Sequence, residues 1–469
     1  MAGELWINSV IKINIARSPF KLIAAVICLS NDILYLIRYL MERNRYIFTF
    51  FLLLFSASLV ITSCRKDEED DPADQLRIEE NTQFYGLMRD WYYWYDKMPD
   101  INPANYGSVY DVMEAIRHRP LDRWSYITSR REFESYYLES KFIGYGFGSA
   151  FDQEGNLRVT FIFNTVGMYE EGVRRSWILR EVNGTDIKPG VNINQLLGAN
   201  EIGVTNNFLF IDPDGEQVSM TLAKDEVFMN TVLHKEIIEY DDKKAGYLVF
   251  KNFTTPSFEE LEDAVNYFNS EGIDDLILDL RYNGGGQTNV ANYLASLIGG
   301  ADVDGEPFAK YLYNDKKKDE NFTDNFTSEE HTFNVDRLIT ITTRATASAS
   351  EMVINGLKPF MDVYVVGDNT YGKPMGMNAW YYDDIYAFVP VTFKIANAEN
   401  DGDYFDGLVA DSYVADDITR PFGDPEEASL KEALEFIATG VFSGLPQKKS
   451  LYVQPFEQMT GIRAEIGAH

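Results

Sequence analysis

Leu276-Ile277-Leu278-Asp279-Leu280-Arg281-Tyr282-Asn283-Gly284-Gly285-Gly286 is an apolar run that ends in three consecutive glycines. A short apolar run without alternation, bounded by glycine, reads as a strand buried on both faces. The glycines open a helical pattern marked by Val290, Tyr293, Leu294 and Leu297. Before this stretch come an apolar run, Tyr247 to Phe250, and a helix carrying Phe258, Leu261, Val265 and Phe268. After it come a strand over Leu338 to Thr342, a helix near Met352 to Leu357 and a strand over Val363 to Val366. Such alternation predicts an α/β domain with a mostly parallel sheet. The texture differs upstream. From Phe142 to about Asp225 short strands are separated by turn signals such as Asp152-Gln153-Glu154-Gly155-Asn156 and Asp212-Pro213-Asp214-Gly215, a small β-rich module. From Gln75 to about Ser140 the pattern is helical, and the aromatic run Trp91 to Tyr95 reads as helix-packing core before it reads as a sugar-stacking surface.

The chain has 469 residues, with 42 Lys+Arg against 73 Asp+Glu and a formal charge of −31. A field of that sign argues against nucleic acid and anionic lipid as partners. The 45% apolar and 14% aromatic content is ample for sizeable cores and argues against disorder. Cys28 and Cys64 are the only cysteines, so the region beyond residue 65 has neither a disulfide nor a cysteine nucleophile. The four histidines, His118, His234, His331 and His469, form no His-Glu-x-x-His pair, so a zinc hydrolase is not expected. No metal or organic cofactor is implied.

Tyr46 to Ser63 is an uncharged stretch between the basic Met41-Glu42-Arg43-Asn44-Arg45 and the acidic Arg65-Lys66-Asp67-Glu68-Glu69-Asp70-Asp71. That order is a secretory signal, not a spanning helix. Ile61-Thr62-Ser63-Cys64 resembles a bacterial lipobox, which implies cleavage before Cys64, lipidation of Cys64 and an extracytoplasmic, membrane-anchored protein. Gram-negative outer membrane is the expected location. Met41 is then the better start, with residues 1–40 an upstream extension.

Two further stretches bear on chemistry. Arg344-Ala345-Thr346-Ala347-Ser348-Ala349-Ser350-Glu351 lies between a strand and a helix. A serine there has its hydroxyl near the positive helix end and near unpaired amides, which suits a nucleophile that generates an oxyanion. A simple N-cap is the other reading of the same residues. Asn369-Thr370-Tyr371-Gly372-Lys373-Pro374 follows the next strand, so Ser348 and Lys373 emerge from one edge of the sheet, where α/β folds place their sites. A lysine serves as general base only when neutral, which requires lowering its pKa from about 10.4 by desolvation. Gly372, Pro374, Met375 and Met377 supply no carboxylate to hold its charge. The glycine run can aim amides at an anion, and a phosphate loop is disfavoured because no Gly-Lys-Ser/Thr follows.

Together, DLRYNGGG, TASASE and TYGK resemble the C-terminal processing peptidases, or tail-specific proteases, which are Ser/Lys serine peptidases; Ser348 and Lys373 stand 25 positions apart. The resemblance covers about Gln75 to Gly440. It implies an α/β, crotonase-like protease core with an inserted β-rich PDZ domain and an N-terminal helical region. It also implies Ser348 as nucleophile, Lys373 as general base, and the amides of Gly286 and Ala349 as oxyanion hole. Gly144-Tyr145-Gly146-Phe147-Gly148 looks like the PDZ carboxylate-binding loop, which captures a peptide C-terminus while the peptide adds a strand. Gly172-Val173 and the run Ile178 to Gly184 fit the same domain, although its usual Gly-Asp is Ser176-Trp177 here. A second departure is Met377, where the family often has a glutamine that orients the lysine; Asn378 or a backbone carbonyl would take that role. Glu351 matches the motif, and its simplest role is structural. Asp406 to Asp411 is similar to the family's Gly-Ile-x-Pro-Asp segment, and Asn400 to Asp403 reads as a solvated turn, not a calcium loop.

The expected organisation is a signal peptide over 41–63, an acidic tether over 64–75, a helical region over 76–140, a PDZ-like domain over 141–228, a peptidase core over 229–443 and a tail over 444–469. The expected partners are proteins or peptides engaged by their C-terminal tails, and the membrane through Cys64. A peptide-binding scaffold with a weak or inactive site is the main rival. An acyl-CoA enzyme on the crotonase-like core and a glycan-binding lipoprotein rank below it.

Overall fold

The computed structural model describes residues 72–443 and His469; the predicted signal, Cys64 and most of the tether lie outside the described residues. Leu76–His469 form one compact unit. Among the described residues no helix is long and apolar enough to cross a membrane.

At its centre stands a six-stranded sheet, in the order Val232–Tyr240, Lys243–Phe250, Asp275–Asp279, Arg337–Thr342, Asp362–Gly367 and Ser412–Tyr413. The first pair is antiparallel and every later pair parallel. Alternate side chains point to opposite faces. Leu276 and Leu278 therefore join the helices Ser257–Glu271, Thr288–Gly299 and Ala349–Leu357 on one face. Ile277, Ile339 and Val366 meet helix Ala428–Thr439 on the other. Both faces are covered, which is why these strands read as unbroken apolar runs. Each fully buried leucine or isoleucine contributes about 1.5–3 kcal/mol.

A second, antiparallel sheet runs Phe322–Asn325, Pro307–Tyr313, Val391–Ala396, Met375–Met377. Lys373 and Pro374 lead directly into its last strand, and Pro374 O accepts from Ile395 N at 2.9 Å.

The region before the β module departs from the continuous helical expectation. Helices Pro72–Trp91, Val109–Ile116 and Arg130–Glu139 are interrupted by strand Tyr126–Ser129, which pairs antiparallel with Tyr386–Val389. The buried Asp122 carboxylate shapes the approach to this strand, accepting from the Trp124 and Ser125 amides at 3.0 and 2.9 Å and from Tyr92 Oη at 2.7 Å. Tyr92 is fully buried with Phe84 and Met88, so this part of the aromatic run is packing core.

The β module carries an antiparallel sheet in the order Phe147–Phe151, Leu157–Ile162, Ile178–Val182, Thr205–Ile211 and Gln217–Ala223, with Phe147–Phe151 at one edge and the short Thr185–Asp186 paired to Ile178–Val182. Lys141–Gly144 and Asp225–Phe228 pair with each other where the chain enters and leaves. Gly155 and Gly215 take left-handed backbone in the two predicted turns. Ser176, standing where the resemblance expects glycine, also has a positive φ of 81°.

Candidate active site

The turn between strand Arg337–Thr342 and helix Ala349–Leu357 is stitched to the neighbouring strand end. Thr346 Oγ1 donates to Leu280 O at 2.8 Å, Ala347 N donates to Asn283 O at 3.1 Å, and Ser350 Oγ donates to the same carbonyl at 3.1 Å. Ser348 is held at the tip with φ 58° and ψ −114°, a backbone that a residue with a side chain rarely adopts. It is half-buried, more accessible than its buried neighbours Ala347, Ala349 and Ser350.

The glycine run lies against this serine. A side chain at Gly285 would stand 2.8 Å from Ser348 Cβ and 3.0 Å from Ala349 N, and one at Gly286 would stand 2.2 Å from Phe253 O. Both glycines have positive φ, 105° and 144°. The Gly285 amide is committed to Asn283 Oδ1 at 2.9 Å. Among the described residues the amides of Gly286 and Ala349 have no acceptor. Two such donors on either side of a serine can take up negative charge that develops on an oxygen beside it.

Lys373 is only 6% exposed. Its loop is set by Glu351, a fully buried carboxylate in the first turn of the helix that follows Ser348. Glu351 Oε1 accepts from Gly372 N at 2.7 Å and from Thr370 Oγ1; Oε2 accepts from Lys373 N at 2.8 Å and from Ser348 N at 2.9 Å. Burial raises the Glu351 pKa, and the four donors only partly offset that. Glu351 is thus a clamp joining the serine turn to the lysine loop, more than the helix-end acid its position suggested. Asn378 Oδ1 accepts from Thr392 Oγ1 at 2.7 Å and Tyr313 Oη at 3.4 Å, and Met377 packs among apolar neighbours.

Beneath the glycine run a buried ionic cluster fixes the strand end. Arg281 is 1% exposed and pairs with Asp279, Asp416 and Glu427 at 2.8, 2.8 and 2.9 Å. Arg175, from the β module, reaches Asp416 at 2.9 Å and also donates to Tyr282 Oη. Burial works against the charged Asp416, yet Arg175 and Arg281 hold its carboxyl at about 2. Asp279, Arg281 and Asn283 belong to the quoted motif, but only the fold gives them these roles; Asp416 and Glu427 had no signal at all.

Gly144 to Gly148 lie on the β module, apart from Ser348, Lys373, Gly286 and Ala349, which the fold brings together. Tyr145 and Phe147 are core residues, and Gly146 has φ 79° with Val166 Cγ1 2.5 Å from where a Cβ would stand. The Tyr145 and Gly146 amides both donate at 2.7 Å to the carbonyl oxygen of His469. The far end of the segment expected as a loose tail therefore meets this loop. Among the described residues no cluster of His, Cys, Asp or Glu is arranged to hold a metal ion.

Residues 244–401 match Peptidase family S41, and residues 79–126 match the Peptidase S41 N-terminal domain. The chain is 22% identical over 333 residues to a "Probable CtpA-like serine protease" of Staphylococcus saprophyticus, covering 70% of this chain and 63% of the relative. A protein of the same description in Staphylococcus aureus is 23% identical over 64% of this chain and 57% of its own length. The chain thus spans about three fifths of the length of these curated relatives. A Bacteroides fragilis crystal structure described as an S41 protease shares the fold, with TM-score 0.64 and 24% identity over 76% of this chain and 97% of that one. Residues 79–126 and 244–401 thus match peptidase family S41 domains.

Proposed function

We propose that the protein is a serine endopeptidase that holds the unstructured C-terminal tails of extracytoplasmic proteins and hydrolyses peptide bonds with a Ser348/Lys373 dyad. The observation that carries this reading is the shared clamp: one Glu351 oxygen binds the amides of both residues, at 2.9 and 2.8 Å. In this reading the parallel sheet and its helices are a crotonase-like core, and the β module is an inserted PDZ domain. Cys64 carries the lipid that holds the chain to the outer membrane of a Gram-negative cell.

Chemically, neutral Lys373 takes the hydroxyl proton as Ser348 Oγ attacks the peptide carbonyl. The oxyanion lies between the Gly286 and Ala349 amides, each such donor being worth roughly a hundredfold or more in rate. As the C–N bond breaks, the lysine returns that proton to the leaving amine and an acyl ester remains on Ser348. Water then attacks the ester, giving a proton to Lys373, and the departing Ser348 oxygen recovers it.

The test is cleavage of a casein-like substrate by the chain from Arg65 onward, beside Ser348→Ala and Lys373→Ala, from about pH 6 to about pH 10. The expected result is cleavage that rises with pH and vanishes in both variants. An inert parent that still binds C-terminal peptides would overturn the peptidase reading in favour of a scaffold.

A further inference from the structure

The edge strand Phe147–Phe151 pairs on one side only, with Leu157–Ile162. On its open side stands His469. Its carbonyl oxygen accepts from Tyr145 N and Gly146 N, both at 2.7 Å, and its amide donates to Phe147 O at 2.8 Å. These three bonds are the first rung of an added strand, with two donors converging on one oxygen as suits a carboxylate. Gly144 makes the approach possible, since a Cβ there would stand 2.8 Å from that oxygen and 3.0 Å from the carbon bearing it.

The side chain of His469 is held as closely as its backbone. Nε2 lies 2.8 Å from Ser149 Oγ, Nδ1 lies 3.2 Å from Asn194 Oδ1, and the ring packs on Phe147 at a centroid distance of 5.2 Å. Asn194 Oδ1 can only accept, so Nδ1 carries the hydrogen; the Ser149 hydroxyl can donate to a bare Nε2 or accept from a protonated one. Backbone capture would hold any chain end. Partners for both ring nitrogens read one particular side chain.

We infer that this edge is a recognition site for chain ends that finish in histidine, with Ser149 and Asn194 as the residues that set the preference. The inference rests on the proposed role of the β module in holding substrate tails and names the class of tail it favours. Alanine or phenylalanine in the last position fills the backbone bonds but neither side-chain bond. Two hydrogen bonds of ordinary strength amount to roughly a tenfold or greater preference. Because His469 occupies the groove, an incoming peptide ending in histidine competes with it.

The experiment titrates labelled pentapeptides of sequence Gly-Ser-Gly-Ser-X, X being histidine, alanine or phenylalanine with a free carboxylate, or histidine amide. The proteins are the chain from Arg65 onward, His469→Ala, and His469→Ala combined with Ser149→Ala and Asn194→Ala. The histidine peptide is expected to bind His469→Ala roughly tenfold or more tightly than the alanine peptide. Binding should weaken in the parent chain and on amidation, and the preference should vanish in the triple variant. Equal binding of the histidine and alanine peptides overturns the inference, as does a preference that survives loss of Ser149 and Asn194. Casein cleavage by the parent chain separates the two readings: cleavage without preference overturns only this inference, and preference without cleavage overturns only the peptidase.

Discussion

Ser348 and Lys373 donate their backbone amides to the same oxygen, Oε2 of Glu351, at 2.9 and 2.8 Å. The carboxylate therefore fixes the separation of serine turn and lysine loop through their backbones. A fully buried acid is an expensive clamp. Its raised pKa means that Glu351 favours folding in its protonated form at low pH, and that this contribution is lost as pH rises through the elevated value.

Glu351→Gln tests the clamp. The amide group that replaces one oxygen is a donor facing two donors, either the amides of Ser348 and Lys373 or Gly372 N and Thr370 Oγ1. The expected cost is about 1–3 kcal/mol in denaturant unfolding at neutral pH. Turnover should fall more than tenfold at saturating substrate, because the proposed dyad is displaced and not deleted. Parental turnover in the variant would show that the clamp does not position the pair.

Gly285→Ala tests how closely the glycine run must approach. The added methyl meets Ser348 Cβ at 2.8 Å and Ala347 O at 2.9 Å, on a backbone with φ 105°. The conformational cost alone is about 1–3 kcal/mol. Loss of cleavage should exceed what that destabilisation explains, since the turn bearing Ser348 must move. An alanine variant that melts lower but keeps its turnover would remove Gly285 from the site's architecture.

Much of this arrangement is legible in the sequence, for physical reasons. Strands covered on both faces are mostly apolar, so Leu276 to Leu278 and Val363 to Val366 announce themselves. Ser348, Lys373 and the glycines stand out only through the resemblance of DLRYNGGG, TASASE and TYGK, since each alone also reads as a helix cap, a surface charge or a tight turn. What stays hidden depends on partners distant in the chain. Tyr126–Ser129 becomes a strand only because Tyr386–Val389 offers it an edge, and locally its residues sit in a helical context. The Arg281 cluster draws on Asp416 and Glu427, whose own neighbourhoods carry no sign of burial. His469 likewise has no register of its own, and its place is set by the amides of Tyr145 and Gly146.

Acid sensitivity follows from that cluster. Burial disfavours the charged Asp416, but Arg175 and Arg281 outweigh it and bring the carboxyl from 3.8 to about 2. A depressed carboxyl contributes stability that is present above its ordinary pKa and lost as pH falls toward the folded value. Asp416→Asn should lose about 2 kcal/mol at neutral pH and show a shallower decline between about pH 4 and about pH 2. Glu427, also lowered, acts in the same direction and leaves a residual slope. Urea midpoints across that range decide it; identical slopes in parent and variant would exclude Asp416 as a source.

The backbone of Ser348 supplies the last prediction. With φ 58° and ψ −114°, it occupies a region that costs a side-chain-bearing residue about 1–3 kcal/mol. Glycine adopts such angles freely but loses about 0.5–1 kcal/mol through the greater freedom of the unfolded chain. Ser348→Gly should therefore be more stable than Ser348→Ala by up to about 2 kcal/mol, although both lack the hydroxyl that the proposed mechanism needs. The comparison isolates strain from chemistry, because the two variants differ by one methyl group on an inactive enzyme. A glycine variant less stable than the alanine variant by about 0.5–1 kcal/mol would mean that the turn imposes no strain on Ser348. A glycine variant that melts higher would mean the fold gives up stability to hold its serine at the sheet edge, against the glycine run and tied by Glu351 to the Lys373 loop.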